Sequence, residues 1–161
     1  MKITQVILKD LPEILRVEQM GFNQAEAGTE TQYRQRIDKL AETFLVARSD
    51  GQVAGFVVGP AVKEQFVEDW MYQDTPTNLV TGGNQIIFTI AVDPKFQGQH
   101  VGTQLLQAIE SKAQTSQRKI IALTSLEKNL PFYLKNDFVN QGAAESTHAG
   151  ETWFNLVKKL Y

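Results

Sequence analysis

The sequence contains no cysteine. That absence removes disulfides, thiolate metal sites and a cysteine nucleophile together, and it suits a reducing compartment. Histidine is almost as scarce. His100 and His148 lie far apart in the chain, so a histidine-based metal site is not expected. Charge of one sign is also lacking: 16 basic residues meet 18 acidic ones, and the net charge of −2 gives no electrostatic reason to expect nucleic acid or an anionic membrane as partner. Long apolar runs are missing as well. The opening MKITQVILKDLPEIL alternates and carries charge, unlike a secretory signal or a membrane span, and a cytoplasmic protein is the default.

What remains is an ordinary globular composition. The 161 residues are 42% hydrophobic, enough for one shared core, and no repeat, low-complexity tract or linker divides them. A single domain over residues 1–161 is the expectation.

The pattern alternates strands and helices. Ile3 to Leu8 reads as a strand. Asp10-Leu11-Pro12-Glu13 has the form of a capping box with an early proline, opening a helix that turns Leu11, Ile14 and Leu15 inward. Thr29 and Gln32 form a second capping box before Tyr33, Ile37 and Leu40 at helical spacing. Phe44 to Arg48 and Val53 to Val58 flank Asp50-Gly51, a hairpin signal. Residues 60–84 read as loop. Ile86 to Val92 is nearly all apolar, as expected of one central strand covered on both faces. A helix follows from Val101 to Gln114 with Leu105, Leu106, Ile109 and Ala113 on one stripe. Ile120 to Thr124, Phe138 to Gln141 and Glu151 to Leu160 read as strands, and Leu130 to Asn136 as a short helix. The whole is a mixed α/β (α+β) domain with a mostly antiparallel central sheet of about six to seven strands flanked by helices.

The chemistry is concentrated in one stretch: Ile90-Ala91-Val92-Asp93-Pro94-Lys95-Phe96-Gln97-Gly98-Gln99-His100-Val101-Gly102-Thr103. A buried strand enters a tight turn, and the turn opens a helix. The first amides of a helix have no internal partner, and the helix dipole places roughly half a positive charge beside them. Glycine lets the backbone approach a ligand closely. Such a turn suits a pyrophosphate. It lacks the Lys-Ser/Thr pair of a nucleotide-hydrolysing P-loop.

This run resembles the acetyl-CoA signature of the GNAT superfamily of N-acetyltransferases, Gln/Arg-x-x-Gly-x-Gly/Ala. Gln97 and Gly102 match its first and last positions, and His100 stands where the middle glycine is usual. The order of elements also fits across the chain. Gly55-Phe56-Val57-Val58-Gly59, Gly82-Gly83 and Leu130-Pro131-Phe132-Tyr133 look like landmarks of the arylalkylamine N-acetyltransferase branch. Vertebrate-type members of that branch carry two histidines in the strand before the turn, where this chain has Ile86 and Phe88.

The resemblance implies direct attack of a neutral amine on the thioester of acetyl-CoA, the co-substrate, without a covalent enzyme intermediate. The amides of Gln97, Gly98, Gln99, His100, Val101, Gly102 and Thr103 would hold the pyrophosphate. A backbone amide within Ile90, Ala91 and Val92 would polarise the thioester carbonyl. Tyr133 would protonate the leaving thiolate. A thiol near pKa ~8.5 and a phenol near ~10 differ by roughly 2 kcal/mol, a gap that a positioned hydrogen bond can bridge. Asn129 would bond the pantetheine arm or cap the short helix, and Phe132 would line the same cleft. Glu26 is the candidate base; Glu30 and the acidic residues of 64–74 are further candidates. Phe22, Trp70, Met71, Tyr72 and Phe56 could form an apolar acceptor pocket. The partner would be a small-molecule amine, with a homodimer left open. A peptide N-acetyltransferase and a non-catalytic acetyl-CoA-binding module are the competing readings, and a small closed pocket against an open groove would separate the first two.

Overall fold

Two sheets share one interrupted strand, and the interruption shapes everything that follows. The computed structural model describes residues 1–21, 28–145 and 148–161, so the candidates Phe22 and Glu26 lie outside the described residues. Strand β1 (Lys2–Gln5) leads through a single 3-10 turn into helix α1 (Leu11–Gly21). The predicted first strand therefore stops short of Leu8. Asp10 is not the cap that was anticipated: it accepts from the Ile7 amide at 2.9 Å and from two nitrogens of Arg48 at 2.7 Å, clamping the helix entry to the sheet.

The second capping box forms as predicted before helix α2 (Glu30–Lys39). Thr29 Oγ1 accepts from the Gln32 amide at 3.1 Å, and Gln32 Oε1 accepts from the Thr29 amide at 2.8 Å. Strands β2 (Phe44–Ser49) and β3 (Gln52–Val58) form the expected hairpin, with Asp50 and Gly51 at φ 48° and 79°. Positive φ at both turn residues matches the right-handed twist of the flanking strands. The stretch read as loop holds a two-residue strand β4 (Ala61–Val62) and a single helical turn α3 (Trp70–Gln73).

The predicted central strand is two strands, β5 (Asn84–Ile87) and β6 (Thr89–Val92), broken at Phe88. The chain continues through α4 (Val101–Thr115), β7 (Ile120–Ser125), α5 (Leu130–Lys135), β8 (Val139–Ala143) and β9 (Phe154–Lys159). Among the described residues there are nine strands, ordered β1-β2-β3-β6 in one sheet and β4-β5-β7-β9-β8 in the other. All pairs are antiparallel except β5 with β7. The fold class stands, while the single sheet of six or seven strands is corrected to two sheets. The excess over the sequence count comes from β4 and from the split at Phe88.

The reason for the split is local. Ile86 donates its amide to Pro60 O and Phe88 donates to Val58 O, both at 2.8 Å, while Thr89 also pairs with Val58, so Phe88 is one residue extra on its side of the ladder. A Cβ on Gly59 would collide with the Ile86 carbonyl. The Gln85 side-chain amide fastens the crossing by donating to Gly59 O at 2.9 Å and Ile86 O at 2.8 Å. Beyond Phe88, β6 pairs with β3 only, while β7 stays with β9. The sheets part there and leave a cleft along the free edge of β6.

Helices α1 and α2 cover one face of the first sheet, where Ile14, Tyr33, Phe44 and Phe56 pack fully buried. Helix α4 covers the other face through Leu105 and Ile109. Gly55 permits its close approach: a Cβ there would stand 2.7 Å from Ala91 O and 3.2 Å from Val101. Thus the N-terminus of α4 is pressed against the end of β6, beside the cleft. No helix among the described residues is long and apolar enough to cross a membrane.

Candidate active site

A cavity of about 810 Å³ runs from the end of β6 over the start of α4 to α5. Its floor is Ile90 to Val92. Asp93 donates its amide to Ala54 O at 2.8 Å, and antiparallel alternation then turns the amides of Ile90 and Val92 toward the open edge. Asp93 is also a fixed post. Burial raises its pKa, but the Arg16 guanidinium at 2.8 Å and the Lys95 amide at 2.9 Å outweigh burial and hold it below the ordinary carboxylate range.

The turn after β6 delivers the helix end bare. His100 occupies the N-cap of α4 in the left-handed region, φ 61° and ψ 25°, and its side chain makes no cap hydrogen bond. It therefore keeps the backbone angle that glycine would adopt at that position, at a strain of about 1–3 kcal/mol, while the imidazole is exposed. The first amides of α4 are left facing the cavity, and the first turn carries no acidic residue. Gly102 has a packing role: a Cβ would stand 3.1 Å from the Phe132 ring, so its absence brings α5 against the first turn of α4.

Of the turn residues named from sequence, Gln97, Gly98, His100, Val101, Gly102 and Thr103 line the cavity and Gln99 does not. Lys128 and Lys135 also line it, and among the described residues no carboxylate does. These two cations went unremarked in the sequence because lysines near a short helix look like ordinary solvated residues. Uncapped amides and two lysines fit the phosphates of CoA.

A second cavity, about 100 Å³, lies behind the strand break. It meets the first at Ile90, Asn129 and Tyr133, which line both. Asn129 does not cap α5 with its side chain, leaving its amide group to the cleft. Tyr133 is 8% exposed, packed edge-on against Phe132 and Phe138 at ring-centroid distances of 5.0 and 5.7 Å. Burial pushes its phenol well above the ordinary value. The proton-transfer gap inferred from free side chains is therefore too small on the tyrosine side.

The small cavity carries charges that sequence reading missed. Glu18 of α1 and Arg36 of α2 line it, and each is 2% exposed. Glu18 Oε1 accepts from the Gly28 amide at 2.8 Å, and Oε2 has no hydrogen-bond partner. Burial raises its pKa, partly opposed by the Gly28 amide, the neighbouring Tyr33 hydroxyl and the charge of Arg36. Tyr72 lines the cavity. Trp70 does not: it is 46% exposed, with its indole nitrogen donating to Glu68 at 2.9 Å. Met71 and Phe56 are core residues, fully buried away from the cavity wall.

Residues 41–140, more than half of the chain, match the acetyltransferase (GNAT) domain family. No curated protein matches the sequence. Solved structures share the fold at low identity. GphF, a GNAT-like decarboxylase solved with isobutyryl-CoA, superposes with a TM-score of 0.85 at 12% identity, covering 100% of both chains. Arabidopsis thaliana Naa50, solved with the bisubstrate analogue CoA-Ac-MVNAL, gives 0.75 at 15%, covering 98% of this chain and 97% of its own. An aminoglycoside 6'-N-acetyltransferase complexed with coenzyme A gives 0.73 at 12%, covering 100% and 98%. With the fold, the bare helix end and the cleft beside it, this chain belongs to the GNAT acetyltransferase family. Its class is that of an acyl-CoA-dependent N-acetyltransferase with acetyl-CoA as co-substrate.

Proposed function

We propose that the protein transfers the acetyl group of acetyl-CoA to the primary amine of a small molecule. The observation that carries this is the meeting of a large cleft, lined by the α4 turn and two lysines, with a small, charged cavity at Ile90, Asn129 and Tyr133. The cleft takes the CoA moiety, with its phosphates against the Gln97–Thr103 turn and the two lysines. The amine enters from the small cavity.

Acetyl-CoA supplies an activated acyl carbon and a thiolate leaving group. The protein's part is placement and proton traffic. An edge amide of Ile90 or Val92 donates to the thioester oxygen as charge gathers there. Glu18, whose pKa burial raises, accepts the ammonium proton directly or through water. The amine nitrogen then bonds to the acyl carbon, the carbon–sulfur bond breaks, the Tyr133 hydroxyl protonates the departing sulfur, and the proton that the nitrogen sheds on becoming an amide restores the phenol. Desolvation that raises the phenol also raises the pKa of a thiol seated in the same junction, which limits the widening of the gap. Glu26, the base favoured by sequence, keeps only its position in the chain as support; Glu18 is preferred because it lines the cavity.

The size of the acceptor side favours a small molecule over a peptide. About 100 Å³ is the share of roughly three water molecules, room for an aminomethyl group and its immediate neighbours. An arylalkylamine would have to leave its ring outside, so that finer assignment rests on the sequence landmarks alone. Release of CoA, read with a thiol-reactive dye, has no protein background because the chain has no cysteine. A panel of small amines and short peptides with free N-termini should give turnover with the amines. Turnover confined to the peptides would overturn this assignment.

A further inference from the structure

Two opposite charges line the small cavity without forming an ion pair with each other. Glu18 and Arg36 both line it and are both buried, yet neither forms an ion pair with any described residue. The guanidinium makes no hydrogen bond with a described residue, and its Nε and one terminal nitrogen are buried without a partner. Burying an isolated charge is unfavourable unless something pairs with it.

The orientation of Arg36 is fixed by stacking. Its guanidinium carbon lies 4.7 Å from the Tyr33 ring centroid and 5.0 Å from that of Phe88. The N–H groups that this packing leaves without a partner belong to a fork that matches the two oxygens of a carboxylate. Tyr33 is itself fully buried against Phe56 at 5.7 Å, so the platform is rigid. Phe88 is the residue at the strand break, which ties the cation to the point where the cleft opens.

We propose that Arg36 is the docking cation for a substrate carboxylate, so that the acceptor is an amine that also bears a carboxylate, of amino-acid type. This deepens the acetyl-transfer reading and rests on it. The unpaired Glu18 and Arg36 complement the two charges of a zwitterion: the ammonium faces the carboxylate that removes its proton, and the carboxylate faces the guanidinium. A carboxylate could also arrive at the same fork on the acyl chain of a dicarboxylic acyl-CoA. The chemistry recognised is the same, and the substrates separate the two sources.

The test compares matched probes. With acetyl-CoA fixed, glycine and L-alanine are set against methylamine and ethylamine; with ethylamine fixed, succinyl-CoA is set against acetyl-CoA. The carboxylate-bearing acceptor should exceed its partner in kcat/KM by about 10- to 100-fold, the range of a charge-assisted hydrogen-bonded pair. In Arg36→Lys, which keeps the charge but loses the fork, the ratio should fall several-fold, and in Arg36→Gln it should approach unity. Circular dichroism and CoA binding report whether each variant is folded. A ratio near unity in the wild-type protein on both axes overturns the proposal, as does equal damage to both members of a pair in Arg36→Lys. Preference on the acyl axis alone retains the docking cation and overturns the amino-acid acceptor. Should no amine be acetylated, the transfer reading fails separately. Thermal shifts by N-acetylglycine against N-methylacetamide, at saturating CoA, then decide the carboxylate site: equal shifts overturn it.

Discussion

The two cavities that meet at Tyr133 solve opposite electrostatic problems. The large one is lined by the turn that opens α4 and by two lysines, with no carboxylate among the described residues. The small one is lined by a buried carboxylate and a buried guanidinium. A flexible polyanion with a conserved chemistry can be held by peptide groups, which any sequence supplies once the turn has the right shape. A small acceptor must be told apart from its neighbours, and that requires side chains that are unhappy without it. The difference teaches where substitutions should change binding and where they should change chemistry.

The largest effect should come at the junction. Tyr133→Phe should lower kcat by about 10²- to 10³-fold with the Kd for acetyl-CoA within a few-fold, since it removes a proton donor and little surface. Measured by CoA release beside calorimetric binding, an unchanged kcat would dissolve the distinction between the junction and the cleft. On the acceptor side, Glu18→Gln should lower kcat/KM by about 10²-fold. The sign with pH follows from burial: its pKa lies above the ordinary carboxylate value, the working form is the ionised one, and activity is therefore lost as pH falls through that raised pKa. A weakly basic amine as acceptor separates this limb from titration of the substrate, and the limb should vanish in the glutamine variant. A retained limb would place the base elsewhere.

Smaller effects belong to the cleft. Lys128→Ala with Lys135→Ala should weaken CoA binding by roughly 3- to 10-fold, more at low salt, with kcat little changed, because exposed charges act through a screened field. A salt-independent loss would mean direct contact of another kind. Smallest of all is His100→Gly. Relief of a left-handed backbone angle should raise stability by about 1 kcal/mol in denaturant titration, with CoA affinity within about two-fold. A large drop in affinity would show that the imidazole, and not only its amide, takes part.

Much of the fold was legible because local rules coincided with tertiary ones. The Asp50-Gly51 hairpin, the Thr29–Gln32 box and the apolar stripe of α4 each state their structure in a few residues. The strand break was hidden because Ile86 to Val92 is apolar throughout. The event that splits it is a crossing with Gly59 and Gln85, distant in one case and polar in the other. Glu18 and Arg36 were hidden for a related reason. Glu18 falls four residues after Ile14, and Arg36 three after Tyr33, on the inward stripes of α1 and α2. Neither falls in a motif that singles it out. The available signal was the position itself: a charge on an apolar stripe must find a partner or a ligand.

The break at Phe88 also has a consequence for how the chain is made. The first sheet draws its four strands from residues 2–92, joined by a local hairpin and one later addition. The second cannot form until β7, β8 and β9 exist, and its parallel β5–β7 pair must close across the whole of α4. During synthesis the N-terminal sheet can therefore assemble while the outer edge of β6 has no neighbour, a template for pairing with another chain. The edge later used to hold substrate is thus the edge most exposed to misassembly, and slow translation through residues 93–120 should lengthen that interval.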